Sequence, residues 1–241
     1  MSEQAASVFE FNGVAIEVWQ GVFTPNKTSE LILEAALKHD HAGKSGLDLG
    51  CGSGVVSISL KKASSIARMC GSDISDRAIA NARHNASRIG VAVEYRQGSL
   101  FEPWKDERFD SILYDVSGVA EPIARLSPWY PPEITCDAGL DGAENTVKML
   151  EHVQDYLTPK GVLYLPTVSL SNEVRILEVA RSRFMRVECL LKRSWPFKED
   201  FWKKIVSNET CRRLIDQGIV KVFQRGSRYL WDTSIYLCAN A

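Results

Sequence analysis

The sequence predicts an α/β fold built on a doubly wound, mostly parallel sheet. Apolar, strand-like segments alternate with helix-compatible segments along most of the 241 residues. The first central strand, residues 46–50, runs into a loop with a glycine at every second position, residues 50–54, and a helix follows. Two later strands end in an acid, Asp73 and Asp115. Because ligands of such sheets bind at the carboxyl ends of the strands, we expect these groups to meet in one pocket.

The segments before the glycine loop predict a small N-terminal appendage. Residues 8–23 alternate weakly between apolar and polar side chains, which indicates a short strand or hairpin. Thr28 or Ser29 can cap a following helix whose apolar positions have helical spacing, and we expect that helix to stop at Gly43. A hairpin and a helix therefore precede the first central strand.

After the loop, helices and strands are expected in regular alternation. Strands are predicted at 66–73, 91–95, 109–115, 161–166, 185–191 and 228–238, and helices at 55–63, 75–90, 143–157 and 171–183. Residues 116–140 are rich in proline and glycine and too long for an ordinary connection, which is typical of a functional loop. Residues 194–228 are expected to form an insertion before the last strand; a cap over the substrate and a dimer contact are its two candidate roles.

Composition favours a cytoplasmic protein without membrane contact. The chain is 45% hydrophobic and 24% charged with a formal net charge of -1, as expected for ordinary globular proteins. Its six cysteines are scattered without a CxxC pair, so neither a disulfide framework nor a metal site is expected. No apolar run reaches the length of a membrane span, and the first residues lack the features of a signal peptide.

We expect one domain over residues 1–241, built from four segments. They are an N-terminal hairpin and helix (1–44), a cofactor-binding core (45–193), the insertion (194–228) and the last strand (229–241). Charge is uneven along them, because Arg186 to Arg228 contains eleven Lys/Arg against five Asp/Glu. Two interpretations stay open for this basic part: a solvated helix face, or a contact surface for an acidic partner such as nucleic acid.

Two cofactors compete for the glycine loop. A dinucleotide-binding fold expects G-x-G-x-x-G, but here the third glycine comes one residue early, at Gly54, and Val55 follows. Asp73 at the end of the next strand suits a ribose hydroxyl in either case. On the glycine spacing alone, a nicotinamide-dependent oxidoreductase remains an alternative.

The combination of Asp48-Leu-Gly-Cys-Gly-Ser-Gly54 with Gly71-Ser-Asp-Ile-Ser75 is more particular. It resembles the first two motifs of class I S-adenosylmethionine-dependent methyltransferases. The resemblance implies a Rossmann-like sheet of seven strands with an antiparallel last strand, and S-adenosyl-L-methionine as cofactor. It also implies that Asp73 accepts hydrogen bonds from both ribose hydroxyls and that Ile74 packs against adenine. The competing interpretation makes Asp73 the N-cap of the next helix.

Within the loop, the resemblance assigns the backbone from Gly50 through Cys51 to Gly52 to the amino-acid end of the cofactor. Asp48 is expected to help hold the loop, and Gly54 completes the cofactor-binding set there.

Four further segments are similar to the HemK group of glutamine methyltransferases that modify release factors. They are Val22-Phe-Thr-Pro-Asn-Lys-Thr-Ser-Glu-Leu31, Asp73-Ile-Ser-Asp-Arg-Ala-Ile-Ala-Asn-Ala-Arg-His-Asn-Ala86, Gln97-Gly-Ser-Leu-Phe-Glu-Pro103 and the region around Asp141-Gly142. The similarity covers residues 20 to 190 and adds Ser99, Leu100, Asp115 and Val116 to the expected cofactor-binding residues. Ser99 stands where the group usually has an aspartate for the adenine amino group, and serine can still accept one hydrogen bond.

The acceptor side departs from that group. The HemK group carries Asn-Pro-Pro-Tyr after its fourth strand, and this chain has Asp115-Val-Ser-Gly118 there. The later Trp129-Tyr-Pro-Pro132 lies downstream in reversed order and cannot substitute directly. The acceptor is therefore expected to be a small molecule or a protein side-chain nitrogen or oxygen, without a more specific assignment.

Asp115 is the candidate catalytic residue, because a carboxylate at this strand end can orient a nucleophile and stabilise its developing positive charge. The alternative is an aspartate that only caps a loop. Phe23, Trp129 and Tyr130 are the candidate substrate-binding residues, and core packing is the alternative for each. Besides an active methyltransferase, the sequence leaves open an inactive S-adenosylmethionine-binding module and an RNA or DNA methyltransferase. A homodimer is compatible with each of these.

Overall fold

The computed structural model describes residues 5–116, 118–130, 134 and 136–240. In chain order the strands and α-helices are β1 (Ala5–Phe11), β2 (Val14–Trp19), α1 (Lys27–Ala36), β3 (Ser45–Leu49), α2 (Val55–Ala63), β4 (Arg68–Asp73), α3 (Asp76–Ile89), β5 (Glu94–Gln97), β6 (Phe109–Tyr114), α4 (Glu121–Ala124), α5 (Glu144–His152), β7 (Leu157–Val168), α6 (Glu173–Arg183), β8 (Arg186–Pro196), α7 (Glu199–Ser207), α8 (Glu209–Asp216), β9 (Phe223–Arg225) and β10 (Arg228–Ala239). Short 3-10 helices cover Glu102–Trp104 and Val153–Tyr156.

The chain forms two compact units. Unit 1 comprises Met1–Asp115, Asp155–Leu165 and Ala239–Ala241, and unit 2 comprises Val116–Gln154 and Pro166–Cys238. The interpretation of the whole chain as a single domain stays a prediction.

Unit 1 contains five parallel strands in the order β5-β4-β3-β6-β7. The central strands β3 and β6 are fully buried at Leu47, Leu49, Ile112 and Leu113, as expected for a parallel sheet covered on both faces. Strand order reverses between β4 and β6 on either side of β3, so the carboxyl end of β3 is where such sheets bind ligands.

The N-terminal hairpin of unit 1 is joined to the helix α3 by side-chain amides. Asn12 and Gly13 connect β1 to β2 with φ of 48° and 71°, the left-handed conformations that a two-residue hairpin turn requires. On α3, Asn81 Oδ1 accepts from Trp19 N at 3.0 Å. One turn further along, Asn85 Oδ1 accepts from Glu17 N at 3.1 Å. These two amides satisfy main-chain donors of β2 as a neighbouring strand would.

Unit 2 contains the end of β7 and the strands β10 and β8, in this order in the sheet, and β9 pairs antiparallel with β10. Its core is an apolar cluster from α4, α7, α8 and the segment after β7, including Ile123, Leu170, Phe201 and Leu214. The predicted insertion, residues 194–228, thus holds α7, α8 and β9. The predicted fold class is confirmed: a Rossmann-like, mostly parallel sheet follows a path of seven strands, with β10 as the antiparallel last strand.

Most predicted elements overlap the observed ones, but several ends differ. The expected stop of α1 at Gly43 is wrong, since the helix ends at Ala36, and β8 continues to Pro196, beyond its predicted end at 191. The edge strand β5 is predicted at 91–95 and observed at Glu94–Gln97. An edge strand is defined by its backbone pairing with β4 more than by hydrophobicity, and Arg96 shows why its polar residues are tolerated. The Arg96 guanidinium lies 4.1 Å from the centre of the Trp104 ring and forms salt bridges with Glu94 and Glu107. Within the described ranges, no helix combines the length and the apolar character that a membrane crossing needs.

Candidate functional site

The glycine loop connects the carboxyl end of β3 to the start of α2. Gly50, Gly52 and Gly54 have φ of 77°, 53° and 81°, which only glycine adopts without strain. The main-chain N–H groups of Gly50 and Cys51 both donate to the Ser72 carbonyl of β4, at 2.9 and 3.0 Å. The loop is therefore fixed to the neighbouring strand through its main chain.

Two of these glycines face different surroundings. A Cβ at Gly54 would lie 2.6 Å from the Tyr95 hydroxyl and 3.0 Å from Ile58 Cδ1, so this glycine lets the loop pack against its own core. A Cβ at Gly52 would meet no atom of a described residue within 4 Å. Gly52 thus borders open space, where a ligand can approach the main chain closely.

Asp48, within β3, caps the helix that follows the loop. The carboxylate is fully buried, and its Oδ2 accepts from Ser57 N at 3.0 Å, the third residue of α2. Burial, together with the nearby charges of Asp115 and Asp73, raises the pKa of Asp48 to about 7. A dinucleotide fold places its pyrophosphate at this helix N-terminus. Here a carboxylate already occupies it, which opposes the nicotinamide alternative.

Asp73 ends β4 and holds the loop from the other side. Its Oδ2 accepts from Gly52 N at 3.0 Å and its Oδ1 from Ser75 N at 2.9 Å. The N-cap of α3 is Ser75, whose Oγ accepts from Ala78 N at 3.2 Å, so the alternative of Asp73 as that N-cap is wrong. Burial raises the pKa of the half-buried Asp73 carboxyl. An ionised carboxylate has about four acceptor positions, so two bonds leave room for ligand hydroxyls.

The segment after β5 lies next to Asp73. Gly98 N donates to the Asp73 carbonyl at 3.0 Å, and the Leu100 carbonyl accepts from Ser72 Oγ at 3.3 Å. Leu100 has a φ of 46°, a local strain that positions the chain here. Ile74 is 69% exposed, a large apolar side chain that the protein leaves uncovered beside Asp73. The structure therefore brings Ile74, Ser99 and Leu100 to the same strand ends as the glycine loop.

Asp115 follows β6 directly. Its main-chain N–H donates to the Leu49 carbonyl at 2.9 Å, which extends the pairing of β6 with β3 by one residue. Its Oδ2 accepts a hydrogen bond from the Ser29 hydroxyl at 2.5 Å. Burial raises the pKa of Asp115 to about 6, and the Ser29 bond acts in the opposite direction. Val116 follows in unit 2, and Ser117 lies outside the described residues.

The three carboxyl groups form an acidic site. Asp48, Asp73 and Asp115 lie at or near the carboxyl ends of β3, β4 and β6, and the charges of the last two act on Asp48. Among the described residues, no lysine or arginine forms a salt bridge with any of the three. The electrostatic potential here thus favours a cationic ligand and disfavours an anionic one.

The candidate substrate-binding residues lie apart in the chain. Phe23 is half-buried in unit 1, in the segment before α1. Trp129 belongs to unit 2, where its ring centre lies 5.4 Å from that of Phe201 and 5.2 Å from that of Trp231. Trp129 and Tyr130 both pack against the apolar core of this unit. A role of these three residues in substrate binding stays a prediction.

Two contacts of the site are not predicted from the sequence. The sequence offers Thr28 or Ser29 as the cap of α1, but Asn26 is the N-cap, since its Oδ1 accepts from Thr28 N at 2.7 Å, and Ser29 contacts Asp115 instead. Tyr95 supports the loop from below, with its hydroxyl 3.0 Å from Ser57 Oγ. Gly71 was a usable signal for Tyr95, because a Cβ there would lie 2.8 Å from the tyrosine ring.

Comparison with known proteins shows which family the chain resembles. The family described as a methyltransferase domain matches residues 40–224. The release factor glutamine methyltransferase of Geobacter sulfurreducens is 35% identical over 158 residues, covering 64% of this chain and 56% of that protein. The putative protein N5-glutamine methyltransferase of Methanocaldococcus jannaschii is 26% identical over 192 residues, covering 80% and 95%. The chain thus spans between half and two thirds of the bacterial relatives' length.

Solved structures share the fold. The 16S rRNA N2 G1207 methyltransferase of T. thermophilus, in complex with AdoMet and guanosine, superposes with a TM-score of 0.61 at 16% identity, covering 98% of this chain and 50% of that one. The ribosomal protein L11 methylase of Lactobacillus delbrueckii subsp. bulgaricus gives 0.58 at 16% identity, covering 94% and 86%. Fold, glycine loop and family match agree, and the chain belongs to the methyltransferase-domain family, with HemK-type glutamine methyltransferases among its relatives.

Proposed function

We propose that this protein is an S-adenosyl-L-methionine-dependent methyltransferase. The observation that carries the proposal is the acidic strand-end site, in which three carboxyl groups have no cationic partner among the described residues. S-adenosylmethionine brings a sulfonium and an ammonium group to such a site, whereas a nicotinamide dinucleotide brings a pyrophosphate. The charges of the site therefore fit the sulfonium cofactor.

The residues present suit the parts of this cofactor. Main-chain groups of Gly50, Cys51 and Gly52 are assigned to its amino-acid end, where the open space at Gly52 admits a ligand. Asp73 is assigned to the ribose hydroxyls. The exposed side chain of Ile74 packs against adenine in this proposal, and Ser99 and Leu100 border the same ring. Asp48 and Gly54 act on the cofactor indirectly, by holding the loop, and Val116 completes the set.

In this proposal Asp115 lies next to the methyl acceptor. When bound, the cofactor would supply an activated methyl carbon for transfer to a lone pair of the acceptor, with the sulfur as the leaving group. The acceptor gains positive charge and must lose a proton. Asp115 orients the nucleophile and stabilises that charge, and water exclusion by aromatic side chains such as Phe23 supports the transfer. The acceptor is a small molecule or a protein side-chain nitrogen or oxygen.

A second candidate, an inactive cofactor-binding module, rests on one observation: Asp115-Val-Ser-Gly118 stands in place of Asn-Pro-Pro-Tyr. A nucleic-acid acceptor has less support, namely the basic segment from Arg186 to Arg228 and a fold shared with an rRNA methyltransferase. A cytoplasmic location and a homodimer remain parts of the proposal.

Calorimetry with S-adenosylmethionine, S-adenosylhomocysteine and NAD tests the cofactor. We expect micromolar binding of the first two and none of NAD. Binding of NAD alone would overturn the proposal. Release of S-adenosylhomocysteine in the presence of a fractionated cell extract then separates the enzyme from the inactive module, which binds the cofactor without turnover. Treatment of the extract with nuclease or protease before the assay identifies the class of acceptor.

A further inference from the structure

A contact between α1 and the end of β6 is unexplained by cofactor binding alone. The Ser29 hydroxyl lies 2.5 Å from Asp115 Oδ2, and the two residues are 86 positions apart in the chain. Ser29 is only 1% exposed. The pair therefore depends on the fold of unit 1 and not on a local turn.

Ser29 is free for this contact because another residue caps its helix. Asn26 accepts the N-terminal N–H of α1, so the Ser29 side chain, one turn later, has no capping task. A buried hydroxyl needs a hydrogen-bond partner, and Asp115 is the partner that Ser29 has. The Asp115 main chain is held in turn by its bond to Leu49. The Asp115 main chain and its carboxyl Oδ2 are thus both held by hydrogen bonds.

One oxygen of the Asp115 carboxylate is available for a ligand. Its Oδ2 accepts from Ser29, and its Oδ1 accepts no hydrogen bond from any described residue. Half-buried Asp115 has a negative neighbour in Asp48 on β3, and none of the described lysines or arginines pairs with it. Burial opposes the ionised form and raises the pKa of Asp115, while the Ser29 donor favours the ionised form.

We propose that Ser29 is a positioning residue that holds Asp115 ionised and leaves its Oδ1 to the methyl acceptor. This inference rests on the proposed function. An ionised carboxylate only accepts hydrogen bonds, so it orients an acceptor group that donates one. It also stabilises an acceptor atom that gains positive charge as the methyl group arrives. Protonation of Asp115 removes that negative charge, so Ser29 acts on the reaction through Asp115.

The first measurement needs no cofactor. Carboxyl ¹³C NMR of aspartate-labelled protein, with Asp115→Asn to assign the signal, follows the titration of Asp115. In Ser29→Ala we expect the pKa to rise from about 6 by about one unit, which leaves roughly half of the carboxyl protonated near pH 7. Ser29→Thr keeps a hydroxyl and restores the original value.

Ser59→Ala is the matched control, since Ser59 is a fully buried serine of α2 whose hydroxyl has no hydrogen-bond partner in the part of the chain that the structure describes. It leaves the titration of Asp115 unchanged. A titration that is equal in wild type and Ser29→Ala would overturn the positioning role.

The second measurement tests preference for a cation. Sinefungin has a carbon in place of the sulfur and carries an amine on it, at the position of the transferred methyl group. Calorimetry with sinefungin and S-adenosylhomocysteine between pH 5 and 8 therefore reports charge recognition near Asp115 in the proposed site. We expect sinefungin to bind about tenfold more tightly at pH 7, a preference that shrinks towards pH 5 and is lost in Asp115→Asn. In Ser29→Ala the preference develops at a higher pH.

The outcomes separate the two claims. Equal affinities at every pH, in wild type and Asp115→Asn alike, would overturn the inference and leave the proposed cofactor intact. Failure of both analogues to bind would overturn the proposed function, while the NMR titration would still decide whether Ser29 controls Asp115.

Discussion

The ends of β4 and β6 each carry an aspartate, but the protein holds the two side chains differently. Asp73 uses both carboxyl oxygens for main-chain N–H groups, those of Gly52 and Ser75. Asp115 uses one oxygen, for the hydroxyl of Ser29. Main-chain donors fix the first carboxylate as part of the loop, whereas a side-chain hydroxyl leaves the second half-occupied. In the proposed function, Asp73 binds the cofactor and Asp115 keeps an oxygen for the methyl acceptor.

Substitution of Asp73 should produce the largest effect. Asp73→Ala would remove the two proposed charge-assisted bonds to the ribose, at about 1.5–3 kcal/mol each, and the observed bond to Gly52 N of the loop, so cofactor affinity should fall more than 100-fold. Asp115→Asn should change affinity for S-adenosylhomocysteine less than threefold while abolishing turnover. Calorimetry with S-adenosylhomocysteine and a turnover assay measure the two. Equal losses of affinity in both variants would contradict the contrast.

The second-largest effects are expected from two alanine substitutions in the glycine loop, Gly54→Ala and Gly52→Ala. In Gly54→Ala the new methyl group would lie 2.6 Å from the Tyr95 hydroxyl at a φ of 81°, and we expect a loss of about 2–4 kcal/mol in the free energy of unfolding. Gly52→Ala meets no atom of a described residue within 4 Å, so about 1 kcal/mol of backbone strain is expected. Its main effect should be weaker cofactor binding. Urea denaturation and calorimetry separate the two; similar stability losses would show that the space at Gly52 is closed.

The raised pKa values of the site predict a pH dependence of stability. Asp48 and Asp115, at about 7 and about 6, bind protons more tightly in the folded than in the unfolded chain. The stabilisation that these two carboxyl groups give the folded state is therefore largest near pH 4 and is lost as the pH rises to about 7. Asp48→Asn keeps an acceptor for Ser57 N but removes the titration. In this variant, the decrease in the free energy of unfolding between pH 5 and pH 7.5 should be smaller by about 2 kcal/mol. Urea denaturation of the wild type and the variant at both pH values measures this difference. An equal decrease in both proteins would mean that Asp48 is not the group that titrates.

Ser75 gives the smallest effect and sharpens the role of Asp73. Ser75→Ala removes the N-cap of α3, which costs about 1 kcal/mol, but it keeps the main-chain N–H that donates to Asp73. Cofactor affinity should stay within about twofold. A large loss of affinity would mean that the cap, and not Asp73 itself, positions the ribose site.

The sequence predicted the cofactor side of the fold because local chemistry determines it. Glycines at positive φ and an acid after each buried strand are visible as letters, and so the loop and the ends of β4 and β6 were placed correctly. The predicted ends of helices and strands are wrong where backbone pairing or helix capping, and not hydrophobicity, determines the end. β5 was predicted too early, and α1 begins at Lys27 because Asn26 caps it.

The acceptor side could not be read in the same way. The Ser29–Asp115 contact joins residues 86 positions apart, and neither residue carries a local signal for the other. Trp129 shows the second difficulty. An aromatic residue in a long loop suits both a substrate wall and core packing, and the sequence does not show that its ring contacts Phe201 and Trp231. Only the tertiary fold distinguishes these two uses of a tryptophan.

The amide contacts of α3 couple two parts of unit 1 that are distant in sequence. Besides binding the main chain of β2, Asn85 donates to the Ser53 carbonyl in the glycine loop at 3.0 Å. Hairpin, helix and loop then open together in local unfolding, as one cooperative segment. A ligand seated on the loop would accordingly slow hydrogen exchange at the amides of Glu17 and Trp19, which it does not touch. The hairpin is thereby a remote reporter of whether the loop is occupied.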